Sequence, residues 1–133
     1  MEDLKKFCNQ LNINSNVDFL GFKKNPHKYV RNSDIYVMSS NREGFPNSLV
    51  EAMFTNGYVI STDCETGPNE IITDNVDGFL VPLNNPEIFS ERIVKLLNDE
   101  DIRKKFYDNS REKIRSFDVQ KMIKQFNDLV HEV

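Results

Sequence analysis

The sequence is poor in cysteine, in excess positive charge and in long hydrophobic runs, and each shortage argues against a class of protein. Its two cysteines, Cys8 and Cys64, lie far apart with no second cysteine or histidine beside either, which is untypical of a disulfide framework or a zinc site. With 17 Lys and Arg against 21 Asp and Glu, the chain lacks the basic surface that non-specific nucleic-acid binding needs. No apolar run approaches the roughly 20 residues of a membrane-spanning helix. The acidic start over residues 1–4 does not fit a signal peptide, so we expect a cytoplasmic protein.

The composition that remains is that of an ordinary globular domain. The chain has 133 residues, of which 38% are hydrophobic and 29% charged, and it contains no internal repeat, low-complexity tract or linker. A domain of this length buries roughly two-thirds of its unfolded surface. We therefore expect a single domain over residues 1–133.

Helical and extended periodicities alternate along the first part of the chain. The predicted elements are a helix over 2–11, a strand over 17–22, a helix opening at Pro26, a strand over 35–38, a helix from Pro46 to about Asn56, a strand over 58–61, a short helix over 69–73 and a strand over 79–81. Beyond Pro82 only helices are predicted. The first opens at Asn85 and Pro86, the second is capped by Asp99 or Asp101, and the last begins at Asp118.

This alternation predicts an α/β fold with a parallel sheet and helices on both faces. The run Ile35–Met38 is almost continuously apolar, which is typical of a strand that is covered on both sides. In such sheets the ligand crevice lies beyond the carboxyl ends of the strands. The rule selects the loops that follow Phe19, Met38, Ser61 and Val81.

The loop after Met38 has the residues of an anion site. Gly44 permits a sharp turn and close approach of the backbone to a ligand. Pro46 can begin a helix, and the first amides of that helix, at Asn47, Ser48 and Leu49, have no partner within it. Free amides at the positive end of a helix dipole suit a phosphate group.

Two glutamates flank this helix start. Glu43 precedes it, at the mouth of the strand, where a reacting group would lie. Glu51 lies about one turn inside the helix, where its carboxylate can accept hydrogen bonds from vicinal hydroxyls such as those of a ribose. The order of carboxylate, phosphate site and carboxylate suits a sugar nucleotide lying across the helix start.

The stretch from Glu43 to Met53, E-G-F-P-N-S-L-V-E-A-M, resembles the signature of retaining, GT-B-type glycosyltransferases of family 4, in which two glutamates are separated by seven residues. The strand and serine-rich loop over 32–40 precede it as they do in that family. The resemblance continues in order over 17–22, 59–64, 67–72 and 78–82, and so covers essentially the whole chain. It implies a Rossmann-like, donor-binding domain from the C-terminal half of such an enzyme.

The resemblance also implies roles for individual residues. Glu51 would hold the ribose hydroxyls, and Glu43 would contact the donor hexose at the catalytic centre. Gly21 and Phe22 would lie near the base. The substrate would be a nucleotide-diphosphate sugar, such as a UDP- or GDP-sugar, with no cofactor and no metal. The backbone that would receive sugar and diphosphate oxygens belongs to Gly44, Phe45, Pro46, Asn47, Ser48 and Leu49.

Measured against that family, the match is N-terminally truncated. The family's domain opens with two strands and a helix before the helix at 2–11, and the first of their loops carries the Arg and Lys that neutralise the diphosphate. In the doubly wound order those strands are central, so the strands at 17–22 and 35–38 would be separated by a double gap. The acceptor domain is also missing, and any membrane contact would be made through that half. We expect the chain alone to be inactive, with the acceptor domain supplied in cis or in trans.

Two other functions stay open. The chain could be a non-catalytic or split-gene remnant that docks to a partner supplying the missing strands, or a sugar-nucleotide epimerase on the same architecture. Glu43 and Glu51 could also simply favour a helix N-terminus electrostatically.

Several polar residues have a structural reading that competes with a functional one. The run 99–101, Asp-Glu-Asp, mimics the D-x-D of metal-dependent glycosyltransferases, but a helix cap is the better interpretation. Glu70 is equally compatible with support of the site and with a first-turn acid. His27 and His131 are lone in sequence, which favours surface or helix-terminus positions.

Overall fold

The computed structural model describes residues 1–115 of the chain. Its elements are α1 (Glu2–Gln10), α2 (His27–Arg31), β1 (Tyr36–Met38), α3 (Asn47–Thr55), β2 (Val59–Thr62), α4 (Pro68–Ile71), β3 (Phe79–Val81), α5 (Pro86–Asn98) and α6 (Glu100–Ile114), with a short 3-10 turn at Asn14–Asn16. The helix predicted from Asp118 lies outside the described residues. Within residues 1–115, no helix is both long and apolar enough to cross a membrane.

The three strands form one parallel sheet in the order β1-β2-β3. Val37 lies opposite Ile60, and Ile60 lies opposite Phe79. The parallel sheet predicted from the strand–helix alternation is therefore confirmed, with each of these strands within one residue of its predicted bounds. The carboxyl ends of all three strands meet at one edge.

The sheet is covered on both faces because the central strand β2 is apolar on both. Val59 packs on the face covered by α3 and α4, whereas Ile60 packs on the face covered by α5 and α6, and both are completely buried. On the second face the rings of Phe79 and Phe106 meet edge-on, with centroids 4.9 Å apart. The expected layers, helix on either side of a sheet, are thus confirmed.

The two long C-terminal helices begin at side-chain caps that the sequence predicts. The Oδ1 atom of Asn85 accepts from the amide of Ile88 at 3.1 Å, at the start of α5. The Oδ1 atom of Asp99 accepts from the amide of Ile102 at 3.0 Å, at the start of α6. Asp99 is therefore used as a cap, as the structural interpretation of the Asp-Glu-Asp run expected.

The strand predicted over 17–22 is wrong. Val17 is extended, with φ −126° and ψ 118°, and it alternates in burial with its neighbours as a strand would. However, no strand of the described residues lies beside the segment, and Gly21 turns the backbone to φ 61°. A strand needs a ladder partner as well as β-forming residues, and here the partner is missing from the sheet.

Candidate functional site

The loop that carries Glu43 is held in place by the loop that follows β2. The hydroxyl of Thr62 and the thiol of Cys64 both donate to the carbonyl of Ser40, the thiol at 3.0 Å. Further along, the hydroxyl of Thr66 donates to the carbonyl of Glu43 at 2.7 Å. Because the anchoring groups come from a neighbouring strand's loop, the backbone beside Glu43 is fixed before any ligand arrives.

Gly67 allows the two loops to approach this closely. It adopts φ 92°, and a Cβ atom there would overlap the Gly44 carbonyl oxygen and lie 2.8 Å from Cδ of Pro46. At Gly44, which is predicted to permit a sharp turn and close approach to a ligand, φ is not positive and a Cβ atom would meet nothing within 4 Å. Its approach to a ligand stays a prediction. The close approach between protein segments therefore depends on Gly67, which the Gly-Pro pair after a strand could have indicated.

The helix start offers fewer free amides than the sequence predicts. Pro46 is the N-cap of α3, and the helix begins at Asn47. The amide of Asn47 donates to the carbonyl of Phe45 at 3.0 Å, and that of Leu49 donates to Pro46 at 2.9 Å. Within residues 1–115 only the amide of Ser48, of the three predicted, has no hydrogen-bond acceptor. The expectation was wrong for the other two because a tight turn at Phe45 and Pro46 already accepts from them.

The side chains around this start divide into exposed and buried ones. The exposed residues are Asn47, Ser48 and Phe45, which is 51% exposed. The buried ones are Pro46 and Leu49. Leu49 belongs to the core on the α3 face of the sheet. Because Leu49 is completely buried, Ser48 supplies the free backbone amide that a ligand could meet here.

Glu43 lines a pocket of about 390 Å³ between the two loops. Its side chain is half-buried. The other residues that line this loop pocket are Arg42, Gly44, Cys64, Glu65 and Thr66. A carboxylate beside a guanidinium in a partly closed pocket can accept hydrogen bonds from sugar hydroxyls.

Glu51 lines a second and larger cleft of about 750 Å³ between α2 and α3. Its side chain is 54% exposed, and its Oε2 atom lies 4.0 Å from Nδ1 of His27. The structure thus does not bring the two glutamates into one pocket. The start of α3 separates the loop pocket of Glu43 from the helix cleft of Glu51, so a ligand that reaches both must cross it. His27, which is lone in sequence and predicted at the surface or a helix terminus, is a neighbour of Glu51.

Asn56 sets the spacing of that cleft, and sequence reasoning missed it. Its buried side-chain amide donates to the carbonyls of Val30, at 3.1 Å, and Ser33, while its Oδ1 accepts from the amide of Tyr58 at 3.0 Å. One side chain therefore joins the end of α2, the end of α3 and the start of β2. The sequence shows only a polar residue before Gly57, with no signal for contacts so distant along the chain.

The two residues expected near the base lie in the irregular segment after α1. Gly21 has a positive φ, and the ring of Phe22 is 91% exposed. Neither lines the loop pocket or the helix cleft. Their contact with a base stays a prediction.

The carboxylate of Glu70 supports the loop rather than facing a ligand. Its Oε1 atom accepts from the amide of Gly67 at 3.2 Å, which stabilises both the start of α4 and the turn against Gly44. As far as residues 1–115 are concerned, no group of three or more His, Cys, Asp or Glu side chains is arranged to hold a metal ion.

Family comparison places these features in a known group of enzymes. The profile of the family described as "Glycosyl transferases group 1" matches residues 1–113. The chain belongs to the group 1 glycosyl transferases. Membership favours the glycosyltransferase interpretation of the paired glutamates over the epimerase.

The relatives of this glycosyl transferase chain are considerably longer than it is. An uncharacterized glycosyltransferase of Methanocaldococcus jannaschii is 36% identical over 156 residues, covering 96% of this chain and 38% of the relative. The N-acetylgalactosamine-N,N'-diacetylbacillosaminyl-diphospho-undecaprenol 4-alpha-N-acetylgalactosaminyltransferase of Campylobacter jejuni is 29% identical over 117 residues, covering 88% of this chain and 32% of the relative. The chain thus spans about a third of the length of these curated relatives.

Solved GT-B glycosyltransferase structures share the fold of this chain. S. aureus TarM, crystallised as a mutant with Fondaparinux, alpha-GlcNAc-glycerol and UDP, superposes with a TM-score of 0.87 at 26% identity, over 96% of this chain and 26% of TarM. Anabaena HepE in complex with UDP superposes with a TM-score of 0.91 at 22% identity, over 99% of this chain and 36% of HepE. At that identity HepE shows the fold alone. The sheet and its helices are therefore a Rossmann-like part of a GT-B architecture.

Proposed function

We propose that this chain is the C-terminal, donor-binding part of a retaining GT-B glycosyltransferase of family 4. The observation that carries the proposal is the helix start of α3, where the Ser48 amide has no described acceptor and where Glu43 lines the loop pocket before it and Glu51 lines the helix cleft after it. In this proposal a nucleotide-diphosphate sugar places its hexose in the loop pocket and its ribose in the helix cleft. Membership of the group 1 family and the UDP complexes of its structural neighbours support this class of ligand.

In this arrangement each part of the donor meets one kind of protein group. The exposed carboxylate of Glu51 accepts hydrogen bonds from the two ribose hydroxyls. The amide of Ser48 donates to a diphosphate oxygen, with help from the positive end of the helix dipole. Glu43 contacts the hexose in the loop pocket and orients it, with Arg42 beside it.

The reaction we propose transfers the hexose with retention of configuration. The bond between the anomeric carbon and the diphosphate oxygen breaks, and the acceptor oxygen forms a bond to the same carbon on the same face. The acceptor's hydroxyl proton goes to the departing phosphate, so no cofactor or metal is required by this scheme. Glu43 stabilises the positive charge that develops on the sugar ring.

We propose that strands supplied in cis or in trans complete the sheet, whereas the acceptor half, likewise in cis or in trans, completes the site. Among the described residues, the segment over 17–22 has no ladder partner and no strand pairs with the outer side of β1. Near that segment, Leu4, Phe7 and Leu20 are each about half exposed, at 58%, 55% and 45%. Exposed apolar groups of this kind are typical of a surface that another part of a protein covers.

Calorimetry on the chain with UDP-glucose and a GDP-hexose tests the donor assignment. Replacing Glu51→Ala removes two charge-assisted hydrogen bonds to the ribose, so we expect affinity for the preferred donor to fall about 10- to 100-fold. Glu91→Ala, an exposed glutamate on α5, is the matched control and should leave the affinity unchanged. An unchanged affinity in Glu51→Ala would rule out the ribose contact.

A further inference from the structure

A third cavity, of about 350 Å³, lies at the carboxyl edge of the sheet, beside α5. Ser39 directly follows β1, Thr62 ends β2 and Pro82 directly follows β3, and all three line this strand-end pocket. The carboxyl edge of a parallel sheet is where ligands usually bind. Among the described residues, none lines both this pocket and either the loop pocket or the helix cleft, so the proposed donor site leaves it unused.

The strand-end pocket is lined by apolar and by uncharged polar side chains. Its apolar residues are Pro82, Pro86, Phe89 and Ile93. Within residues 1–115, no Asp, Glu, Lys, Arg or His side chain lines it, in contrast to Glu43 in the loop pocket and Glu51 in the helix cleft. The lining offers no cationic side chain to a phosphate and no carboxylate to an amine, so it favours an uncharged ligand.

Three polar side chains of the strand-end pocket are available to a ligand. The side chains that already form a hydrogen bond to the backbone are those of Thr62, Asn85 and Ser90. Among the described contacts, the side chains of Ser39, Asn41 and Asn84 have no hydrogen-bond partner within the protein. Hydroxyl and amide groups both donate and accept hydrogen bonds, as the hydroxyls of a sugar do.

This combination of groups matches a neutral sugar residue. A pyranose ring presents C–H groups that pack against apolar side chains, and its hydroxyls exchange hydrogen bonds with polar ones. Pockets for small ligands commonly combine a largely apolar lining with a few polar groups, at volumes from about 300 Å³ upward. The strand-end pocket lies near the lower end of that range, which suits a single sugar residue rather than a whole nucleotide sugar.

The strand-end pocket adjoins the loop pocket. Asn41 lines the first and the next residue, Arg42, lines the second. The Cα atoms of consecutive residues are only about 3.8 Å apart. After β2, Thr62 and Cys64 are divided between the two pockets in the same way. A sugar residue in the strand-end pocket therefore lies beside the hexose that we place in the loop pocket.

We propose that the strand-end pocket is an acceptor subsite, which binds a neutral sugar residue of the acceptor. This rests on the proposed function, because the donor hexose is taken to lie in the loop pocket. Ser39, Asn41 and Asn84 hydrogen-bond to hydroxyls of the acceptor sugar, and Phe89 packs against its C–H groups. The acceptor half of the enzyme contacts the rest of the acceptor, so the two halves share its recognition.

An NMR titration of the ¹⁵N-labelled chain with methyl α-glucoside, methyl α-galactoside and methyl N-acetyl-α-glucosaminide tests the subsite. These glycosides are neutral and carry no diphosphate, so they cannot act as donors. We expect at least one of them to shift the amides of Asn41, Asn84 and Phe89 saturably. Because donor and acceptor must be bound together, these shifts should persist with saturating UDP-glucose, while the Ser48 amide keeps the shift that UDP-glucose causes.

Asn41→Ala and Asn84→Gly each remove one exposed side chain that has no described partner in the protein, so both variants should fold normally. Asn84 has φ 56°, which glycine adopts readily. Each variant should bind the glycoside about two- to tenfold more weakly, the size of one neutral hydrogen bond, and should bind UDP-glucose as before. Asn98→Ala, which changes an exposed asparagine on α5 outside the pocket, is the matched control and should leave both affinities unchanged.

The absence of shifts at the pocket with all three glycosides, or unchanged affinity in both variants, would overturn the acceptor subsite. In either case a Ser48 amide that still responds to UDP-glucose leaves the donor site standing. Glycoside shifts that UDP-glucose abolishes would also overturn the subsite, because the pocket would then take the donor's hexose. If the Ser48 amide does not respond to UDP-glucose, the proposed function fails, and the acceptor role fails with it even where a glycoside binds.

Discussion

At the scale of single residues, Gly67 decides how the two loops at the candidate site fit together. Its positive φ and its contact with Gly44 and Pro46 leave no room for a side chain. Gly67→Ala should therefore force the loops apart and lower the free energy of unfolding by about 2–4 kcal/mol. Chemical denaturation measures the loss, and donor calorimetry should show weaker binding because the loop of Glu43 moves.

Gly21→Ala separates the cost of backbone conformation from that of the contact. Gly21 also has a positive φ, but a Cβ atom there would meet nothing within 4 Å. We expect a loss of only about 1 kcal/mol, the ordinary cost of a left-handed conformation for alanine. Equal losses for the two variants would show that packing against Gly44 and Pro46 does not constrain Gly67.

Asp77 is a buried carboxylate whose partners come from two elements. It is 3% exposed, its Oδ1 accepts from the amide of Thr73 at 2.7 Å, and its Oδ2 lies 3.0 Å from Nζ of Lys113. Asp77→Ala removes this acceptor from the Thr73 amide and from the partly buried ammonium of Lys113. We therefore expect the free energy of unfolding to fall by about 2–4 kcal/mol.

Asp108→Ala is the comparison for this pair, because Asp108 forms an exposed i,i+4 ion pair with Lys104. Surface pairs of this kind contribute little. Denaturation should therefore give a much smaller change for Asp108→Ala than for Asp77→Ala. The reverse order would contradict the structural role given to Asp77.

At the scale of elements, Asn56 joins α2, α3 and β2, and so determines the width of the helix cleft. Asn56→Ala leaves the carbonyls of Val30 and Ser33 and the amide of Tyr58 without that partner. We expect a loss of about 2–3 kcal/mol in the free energy of unfolding. Chemical denaturation measures the loss.

Asn56→Asp refines this test, since it keeps the acceptor for Tyr58 but places a carboxylate against two carbonyl oxygens. It should be at least as destabilising as Asn56→Ala. Asn98→Ala, which removes an exposed side-chain bond to the Val94 carbonyl on α5, should have little effect. A fully stable Asn56→Asp variant would contradict the assigned donor role of the side chain.

The elements also show which parts of the fold follow from local sequence. The bounds of β3 and the Asn85 cap were predicted correctly, and Asp99 is one of the two caps predicted for α6, because strand patterning and capping depend on adjacent residues. The strand over 17–22 was wrong, since strand formation also needs a partner. Similarly, the free amides of α3 were overcounted, because the turn that accepts from Asn47 and Leu49 depends on the backbone dihedral angles of Phe45 and Pro46.

The candidate site also has features that follow from local sequence and features that do not. The motif is enough to predict Glu43, Glu51 and the helix start between them. It is not enough to predict Gly67, Asn56 or the neighbour His27, because their roles arise from contacts between segments that are distant in sequence. Which loops and helices pack together is decided by the whole core, and a single sequence carries no local record of it.

At the scale of the whole molecule, one edge of the structure is incompletely covered. Leu4, Phe7, Leu11 and Phe22 are all more than half exposed, and no described strand pairs with 17–22. We expect the isolated chain to self-associate, so that size-exclusion chromatography gives a mass above 15.5 kDa. A monodisperse 15.5 kDa species would contradict the need for a covering polypeptide.

The most direct measurement of the central claim is an NMR titration of the ¹⁵N-labelled chain with UDP-glucose. If the donor crosses the start of α3 with its diphosphate at Ser48, the Ser48 amide proton should shift downfield as it forms a hydrogen bond to a phosphate oxygen. Uridine, which lacks phosphates, should perturb residues around Glu51 without that shift. Saturating UDP-glucose that leaves the Ser48 amide unmoved, with shifts only at distant residues such as Phe89 on α5, would contradict the claim.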